Sequence, residues 1–226
     1  MLPYSLNCKA FDDLGTEAAA YWFGFIFADG SVSRTMVTLT LAAKDRPQLE
    51  GFLAFIECNK AIRETENKNQ TGKSFPAVNA SVSDRYLSDR LRSLGVEPFR
   101  PRSTAALHAV PDMQRHHFLR GWFDGDGSAL RMPQLTFVAA PDFIDEVAQI
   151  FEQQAGANPV IQRQVRRQKT VATLTYKGVH RCGAIVDYLY RDATIWLPRK
   201  RERIDGWPAP QRAKADRFCP QCGHSL

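Results

Sequence analysis

Two aspartates occupy equivalent places in two similar segments of this chain, and they are its strongest candidates for chemistry. The segments read YWFGFIFADGS, ending at Ser31, and FLRGWFDGDGS, ending at Ser128. Each is an apolar run that closes with Asp-Gly-Ser. The aspartates of these two endings, Asp29 and Asp126, lie 97 positions apart. One such segment is typical of a buried helix. Two of them at about half-chain spacing predict a duplicated molecule in which each half contributes one acid.

Each acid is predicted to lie at the C-terminal end of a helix, where the helix dipole disfavours a carboxylate by about 0.3–1 kcal/mol. Two such carboxylates side by side also repel each other. A hard divalent cation relieves both effects, and Mg²⁺ is held by carboxylates and completed by water and phosphate oxygens. Carboxylates, metal and DNA phosphate are the usual parts for phosphodiester hydrolysis. The alternative is that both Asp-Gly pairs are only helix-ending turns, but the repeated context favours a paired site.

Small residues recur four positions apart on both predicted helices, and they explain how the acids could meet. The pairs are Gly24 with Ala28 and Gly121 with Gly125. Positions four apart share one helix face, and small side chains there let two backbones approach closely. The pattern predicts that the two helices pack along this seam, which would place Asp29 and Asp126 at adjacent ends.

The bulk composition fits a globular protein with an anionic partner. The chain has 226 residues, 44% of them hydrophobic, and a formal net charge of +6, which makes nucleic acid the first candidate partner. No apolar run is long enough to cross a bilayer, and no secretion signal is evident at the start. The five cysteines, an odd and scattered set, favour a reducing cytoplasmic location over a disulfide framework.

The two halves are predicted to repeat the order helix–strand–helix–strand–strand–helix. In the first half, residues 17–29, 47–57 and 86–94 are predicted helices, and residues 36–42, 62–68 and 77–83 are predicted strands. The corresponding helices of the second half are 112–126, 142–154 and 183–190, and its strands are 134–138, 160–166 and 171–177. Thr16 is the expected cap of the first helix, and Gly30 is expected to end it in a left-handed turn.

The halves can also be aligned beyond the two acidic segments. Leu39-Thr40-Leu41 matches Leu135-Thr136-Phe137, and Ala42-Ala43-Lys44-Asp45 matches Ala139-Ala140-Pro141-Asp142. On this alignment we predict a first half-domain at residues 1–97, a linker at 98–110, a second half-domain at 111–206 and a C-terminal tail at 207–226.

The segments FGFIFADG (23–30) and RGWFDGDG (120–127) resemble the two motif copies of single-chain LAGLIDADG homing endonucleases. The resemblance covers about residues 16–205. It implies an α+β fold, with an αββαββα half-domain duplicated about a pseudo-twofold axis and two curved antiparallel sheets that form a DNA-binding saddle. It further implies a monomer that cleaves both strands of a long, partly asymmetric DNA site across the minor groove, with Mg²⁺ or Mn²⁺, to leave short 3′ overhangs.

The resemblance also assigns roles to individual residues. Asp29 and Asp126 become the catalytic, metal-binding acids. Whether the backbone carbonyl at position 28 also binds the metal is left open. Gly24, Ala28, Gly121 and Gly125 become the helix-packing residues. Lys44 resembles a basic residue near the family's active site, and its match in the second half is Pro141. Either the second centre borrows another base, or the two strands are cut at unequal rates. The candidate substitutes are Lys177, Arg199 and Lys200, the last two within a segment (193–201) that resembles a basic ending of the family.

The polar faces of the strands are the expected DNA-reading surface, because base edges are distinguishable in the major groove. The candidate readers of the first half are Ser33, Arg34, Thr38, Thr40, Arg63, Thr65 and Asn79. Those of the second half are Gln134, Thr136, Gln162, Gln164, Arg166, Arg167 and Lys169. For any one of them a solvated strand face is the simpler interpretation. The run 163–169 is a stronger case, because four cations in seven residues repel unless an anion is near.

The C-terminal tail carries a possible zinc knuckle, FCPQCGH, in which the potential ligands are Cys219, Cys222 and His224. A closed Zn²⁺ site needs a fourth ligand, for which the candidates are Cys8, Cys58, Cys182 and His180. Otherwise the tail is a degenerate half-ribbon or pairs between chains. The adjacent His116 and His117 point in different directions on a helix, so they are interpreted as surface or interface positions and not as metal ligands.

Three functions therefore stay open at this point. The leading hypothesis is a site-specific, intron-encoded or free-standing DNA endonuclease. The second is a non-cleaving LAGLIDADG-fold DNA-binding protein or intron maturase, which the retention of both acids disfavours. The third is a zinc-dependent DNA-binding regulator, which is weaker because the tail is too short to fold alone.

Overall fold

The computed structural model describes residues 4–68, 72–96, 104–166 and 169–208, and its two halves repeat one order of elements. The first half contains α1 (Glu17–Asp29), β1 (Gly30–Val32), β2 (Met36–Ala42), a 3₁₀ turn (Ala43–Asp45), α2 (Arg46–Phe55), β3 (Arg63–Lys68), β4 (Ser74–Ser83) and α3 (Arg85–Ser93). After α4 (Ala105–His108), the second half contains α5 (Arg115–Asp126), β5 (Ser128–Ala129), β6 (Gln134–Ala139), α6 (Pro141–Ala155), β7 (Val160–Arg166), β8 (Lys169–Lys177) and α7 (Val179–Leu189). A further helix, α8 (Pro198–Asp205), follows.

Each half forms one four-stranded antiparallel sheet. The strand orders are β1-β2-β4-β3 and β5-β6-β8-β7, so the two sheets have the same topology. Each half is therefore an αββαββα unit, which confirms the α+β fold predicted from the two motifs. The residue patterns alone miss β1 and β5, because strands of three and two residues are too short to show alternation. They also miss α8, whose sequence is mostly charged.

The central helices are α1 and α5, and α1 is buried along almost its whole length. All residues from Ala19 to Ala28 are buried, so this helix packs on every side and shows no polar stripe. In the second half, Trp122 of α5 stacks on Phe137 of β6 with ring centroids 5.3 Å apart. The sheets and the outer helices therefore form one core around the two helices that carry the acids.

The ends of α1 show one prediction confirmed and one wrong. Thr16 caps the helix, since its hydroxyl accepts a hydrogen bond from the Ala19 amide at 3.2 Å. Gly30 is not left-handed, because its φ of −74° and ψ of 148° are extended. Glycine is required there for space instead, since a Cβ would lie 2.5 Å from the Ile26 carbonyl oxygen.

The described end of the predicted linker forms a helix. Residues 97–103 lie outside the described part of the chain, but α4 follows them, and Ala106, Leu107 and Val110 are buried. Within the described ranges, no helix is both long enough and apolar enough to cross a membrane.

Candidate active site at the ends of the two central helices

The seam between α1 and α5 is built from the predicted small residues. A Cβ at Gly24 would lie 2.0 Å from the Phe118 carbonyl oxygen, and one at Gly121 would lie 2.0 Å from that of Tyr21. Near the C-terminal ends, a Cβ at Gly125 would lie 2.2 Å from the Cβ of Ala28. No side chain larger than hydrogen fits at the three glycines without movement of backbone or of a neighbouring helix. The helices therefore run parallel in close contact and end side by side.

This packing brings the two acids to one place. Asp29 and Asp126 are the last residues of α1 and α5, and both are exposed. The Asp29 carboxyl carbon lies 3.5 Å from the Cβ position at Gly125, the residue before Asp126. Among the described residues no group of three or more His, Cys, Asp or Glu side chains could hold a metal. The side-chain donors at the helix ends are the two carboxylates, which fit Mg²⁺, a hard ion that keeps waters and takes phosphate oxygens as further ligands.

The strand register corrects the alignment of the two halves. In the first sheet Ser31 pairs with Thr38, and in the second sheet the equivalent Ser128 pairs with Thr136. Thr136 is therefore the counterpart of Thr38 and not of Thr40. The alignment by sequence was two residues out because both strands alternate with the same period, so a shift of two keeps every apolar side chain on the buried face.

The counterpart of Lys44 also changes, by one residue, because the paired residues Ser128 and Thr136 are one position farther apart in the chain than Ser31 and Thr38. Ala42 and Ala140 each precede a helical turn and have nearly the same backbone angles, φ −59° and ψ 144° against φ −60° and ψ 147°. Counting onward from these residues, Lys44 corresponds to Asp142 and not to Pro141. Lys44 and Asp142 are both exposed. The two centres therefore differ in charge at this position.

The three candidate substitutes for the missing base are not alike. Lys177 pairs with Gln134, at the end of β6 away from Asp126, so the register separates it from the second acid. The Arg199 Nε lies 2.9 Å from both carboxylate oxygens of Asp45, in the first half. Lys200 is buried, and its Nζ donates to the carbonyls of Phe123, Asp124 and Gly127 at the end of α5.

Asp124 was missed by sequence reasoning, although it lies two residues before Asp126 in the same motif. Its carboxylate is fully buried and accepts hydrogen bonds from the Tyr21 hydroxyl at 2.8 Å and the Leu197 amide at 2.7 Å. The Gln48 amide donates to the same Tyr21 oxygen at 2.6 Å. Burial raises the pKa of Asp124 to about 6, while the nearby Lys200 charge and the two hydrogen bonds act in the opposite direction. The signal available in the sequence was a carboxylate inside an otherwise apolar helix.

A second buried network joins the halves near the start of α1. Arg120 is fully buried, and its Nη2 lies 2.6 Å from the Glu17 carboxylate. Its Nη1 donates to Nδ1 of His117 at 2.7 Å and to the Leu189 carbonyl at 2.9 Å. Glu17 lies in the first half and Arg120 in the second, so this ion pair fixes the two central helices to each other away from the acids.

The histidine pair is not at the surface. His116 and His117 are 4% and 5% exposed, and their ring centroids are 3.8 Å apart. Burial first, and then the Arg120 charge, lower the pKa of His117 to about 4, and burial also lowers the pKa of His116. Of the two positions predicted for this pair, surface or interface, the surface one is wrong because α7 and the chain after it cover this face, as the contact of His116 with Tyr188 shows.

The polar face of the first sheet is a hydrogen-bonded ladder. Asn79 donates to the Thr40 hydroxyl at 2.7 Å and accepts from Ser81 at 3.1 Å, and Thr38 donates to Ser81 at 3.0 Å. Arg63 pairs with Asn79 in register and is exposed. The candidate readers Thr38, Thr40, Asn79 and Arg63 therefore share one face, to which Thr65 also belongs by alternation. Ser33 and Arg34 are exposed in the turn after β1.

The second sheet presents a different surface. Its polar face carries Gln134 and Thr136 from β6, Thr173 and Thr175 from β8, and Gln162 and Gln164 from β7. Arg163 points to the other face, where its Nη2 lies 2.6 Å from Asp145 of α6, so it does not belong to the basic cluster proposed from the sequence. Arg167, the side chains of Arg166 and Lys169, and the zinc candidates Cys219, Cys222 and His224 lie outside the described residues.

This chain resembles known proteins in its three-dimensional structure. The sequence matches no family model, and no curated protein matches it. The homing endonuclease I-WcaI bound to its DNA recognition sequence has a TM-score of 0.56 and 11% identity, over 84% of this chain and 87% of that one. The meganuclease I-SmaMI bound to uncleavable DNA has a TM-score of 0.54 and 11% identity, over 83% and 87%. A variant of I-DmoI in complex with its target DNA in the presence of Mg has a TM-score of 0.51 and 13% identity, over 77% and 96%.

Proposed function

We propose that this chain, whose fold is that of the LAGLIDADG homing endonucleases, is a site-specific endonuclease that cleaves both strands of DNA. The observation that carries the proposal is the delivery of Asp29 and Asp126 to adjacent helix ends, between two antiparallel sheets of identical topology. Solved structures of this fold hold DNA in complexes with I-WcaI, I-SmaMI and I-DmoI. The net charge of +6 suits the same partner.

Asp29 and Asp126 are the residues that would hold Mg²⁺ or Mn²⁺. A bound divalent ion there would supply activation of water and stabilisation of the attacking and leaving oxygens of the phosphodiester. The two carboxylates would bind the metal ion and fix its position, since each is held at the end of a helix that cannot slide along the glycine seam. The proposed product is a double-strand break across the minor groove with short 3′ overhangs.

Lys44 is the proposed basic residue of the first centre. It lies in the 3₁₀ turn after β2, exposed, and a fixed cation beside a scissile phosphate stabilises the negative charge that develops there. The second centre has Asp142 at the equivalent place, and a carboxylate cannot do this. Arg199 and Lys200 are bonded to protein groups, so neither is proposed to supply the cation that the second centre lacks. This supports the proposal that the two strands are cut at unequal rates.

The two polar sheet faces are the proposed DNA-reading surface. The first offers an exposed arginine beside a threonine and asparagine ladder, and the second offers glutamines and threonines. Arginine suits guanine, glutamine suits adenine, and threonine contacts either a base edge or a thymine methyl group. We therefore propose a long target whose two halves differ in sequence, bound by a monomer because both halves reside in one chain.

The test is cleavage of a plasmid library with randomised inserts in Mg²⁺, comparing wild type with Asp29→Asn and Asp126→Asn. Linear products with short 3′ overhangs from the wild type, lost or reduced to nicks in either variant, would support the proposal and reveal the target. Tight sequence-selective binding without a cut in Mg²⁺ or Mn²⁺ would refute nuclease activity. That result would instead favour a non-cleaving DNA-binding protein, an alternative supported by the acid, Asp142, at the position equivalent to Lys44.

A further inference from the structure

The chain from Thr194 to Trp207, here called the C-terminal brace, is bonded to the end of α5. Lys200 Nζ donates to the carbonyl oxygens of Phe123 at 2.5 Å, Asp124 at 2.7 Å and Gly127 at 2.5 Å. The Phe123 carbonyl also accepts from the Gly127 amide at 2.8 Å, and a positive charge is favoured beside the carbonyls at the end of a helix. Lys200 therefore closes the end of the helix that bears the second acid.

Two further side chains of the brace continue this contact. Arg203 Nη1 donates to the Ala129 carbonyl at 3.2 Å, and Trp207 Nε1 donates to the Leu130 carbonyl at 2.9 Å. Lys200 and Arg203 lie three positions apart on one face of α8, and Trp207 follows two residues after the helix ends at Asp205. Their acceptors extend from Phe123 to Leu130, a stretch with Asp126 at its centre.

The brace is also bonded to the first half. The amides of Thr194 and Ile195 donate to the Glu17 carboxylate at 2.7 and 3.1 Å. Arg199 holds Asp45, the residue after Lys44, as an ion pair. One short segment thus connects the start of α1, the turn that carries Lys44 and the turn that carries Asp126.

The burial of Lys200 explains why it acts on the protein and not on DNA. The side chain is 5% exposed, and its three N–H groups are directed to backbone carbonyls. Burial lowers the pKa of Lys200 to about 8, and Asp124 opposes this shift. A cation buried this far is retained only where its donors are satisfied, which the end of α5 provides.

We propose that the C-terminal brace positions Asp126, with Lys200, Arg203 and Trp207 as positioning residues that fix the turn between α5 and β5. The proposal rests on the proposed function, because it takes Asp126 as a metal-binding acid. Its physical basis is that a carboxylate on an exposed turn must be held within a fraction of an ångström to share a metal with its partner. Arg203 and Trp207 can be tested without disturbing the buried lysine.

The experiment compares the double variant Arg203→Ala/Trp207→Phe with the matched control Arg181→Ala/Trp196→Phe. The control removes the same charge from α7 and alters another indole, and both of its side chains are exposed. Each strand of a duplex carrying the selected target is end-labelled, and its cleavage is timed in Mg²⁺, with DNA affinity measured in EDTA. We expect one strand to be cut about 10- to 100-fold more slowly by the brace variant, with the other strand and the affinity little changed.

Hydrogen exchange of the protein alone supplies a readout that needs no DNA. Amides of residues 123–130 should exchange about tenfold faster in the brace variant than in the control, whereas residues 26–33 of the first half should be unchanged. Equal slowing of both strands together with weaker DNA binding would show a general loss of stability and overturn the positioning role. If the wild type cuts no DNA, the proposed function fails, and unchanged exchange in residues 123–130 would then overturn the brace separately.

Discussion

Gly24 and Gly121 make the same contact in opposite directions across the α1–α5 seam. A Cβ at Gly24 would lie 2.0 Å from the Phe118 carbonyl oxygen, and a Cβ at Gly121 would lie 2.0 Å from the Tyr21 carbonyl oxygen. Each residue of one contact lies 97 positions from its counterpart in the other, which is also the separation of Asp29 and Asp126. The pseudo-twofold relation of the two halves therefore passes through the seam and places the acids symmetrically at its end.

Replacement of either seam glycine should destabilise the protein strongly. In Gly24→Ala the new methyl group meets backbone, which cannot move aside as a side chain can, so we expect a loss of about 3 kcal/mol or more. Chemical denaturation measures the loss. Gly183→Ala on α7 is the matched control, because nothing lies within 4 Å of its Cβ position. That variant should be stabilised by about 0.5–1 kcal/mol, and equal effects at both sites would contradict the seam.

The charge difference between Lys44 and Asp142 should set the order of strand cleavage. We expect nicked circles to accumulate with the wild type, and Asp142→Lys to shorten their lifetime because it supplies the missing cation. Lys44→Met should slow the faster strand by about 100-fold or more. Gel electrophoresis of supercoiled plasmid carrying the target follows the supercoiled, nicked and linear forms over time. Asp187→Lys, an exposed site on α7 with the same change of charge, controls for stronger general attraction to DNA; if it shortens the nicked lifetime equally, the local explanation is wrong.

The Tyr21 hydroxyl should contribute measurably to stability because two buried groups depend on it. It donates to Asp124 and accepts from Gln48, so Tyr21→Phe removes the acceptor of the Gln48 amide and leaves the Asp124 carboxylate with the Leu197 amide as its remaining donor. We expect a loss of about 1–3 kcal/mol. Urea denaturation at pH 7 would measure this. Tyr176→Phe is the matched control, since the buried Tyr176 hydroxyl has no hydrogen-bond partner among the described residues. An equal loss in both variants would show that the hydroxyl bonds are not the cause.

His117 should make the protein less stable as the pH falls. Its pKa is lowered to about 4 in the fold by burial and the Arg120 charge, against about 6.5 when unfolded, so between these values the unfolded state binds more protons. Its contribution is full above pH 6.5 and is lost as the pH falls toward 4. Burial raises the pKa of Asp124 to about 6, which acts in the opposite sense, so the wild type alone does not isolate the imidazole.

Comparison with the variant His117→Asn isolates the contribution of the His117 imidazole, because asparagine can accept the Arg120 hydrogen bond without titrating. Unfolding free energies of both proteins would be measured from pH 7.5 to pH 4.5. The variant should lose less stability than the wild type as the pH falls, and parallel curves would contradict the shifted imidazole.

Arg63 should read one base of the first half-site. It is exposed beside Asn79 on the polar sheet face, and arginine prefers guanine. Arg63→Ala should relax selection at one position by about 1–3 kcal/mol in a selection from randomised targets. Arg85→Ala, on α3, removes the same charge from an exposed helix. A uniform loss of affinity with unchanged sequence preference would show that Arg63 contacts phosphate instead.

The sequence by itself determined the duplication, the acids and the small-residue seam. These are local patterns: an apolar run, a glycine four residues on and an Asp-Gly ending are legible within a dozen residues, and their repetition gave the architecture. Most helices and strands followed for the same reason, since burial on one face imposes a period of 3.6 or 2. The conformation of Gly30 was mistaken because a glycine required by close packing looks the same in sequence as one required by a left-handed turn.

Only the tertiary structure decided the partners of the polar groups. The counterpart of Lys44 became Asp142 because the connection between β5 and β6 holds one residue more than that between β1 and β2, which only the pairing of the strands shows. Asp124, Arg120 and His117 were found buried because elements about 70 to 100 residues away cover them. The hydrogen bonds of Lys200, Arg203 and Trp207 to the turn around Asp126 likewise join residues more than 70 positions apart, and no local pattern encodes a contact whose two sides meet only after the chain has folded.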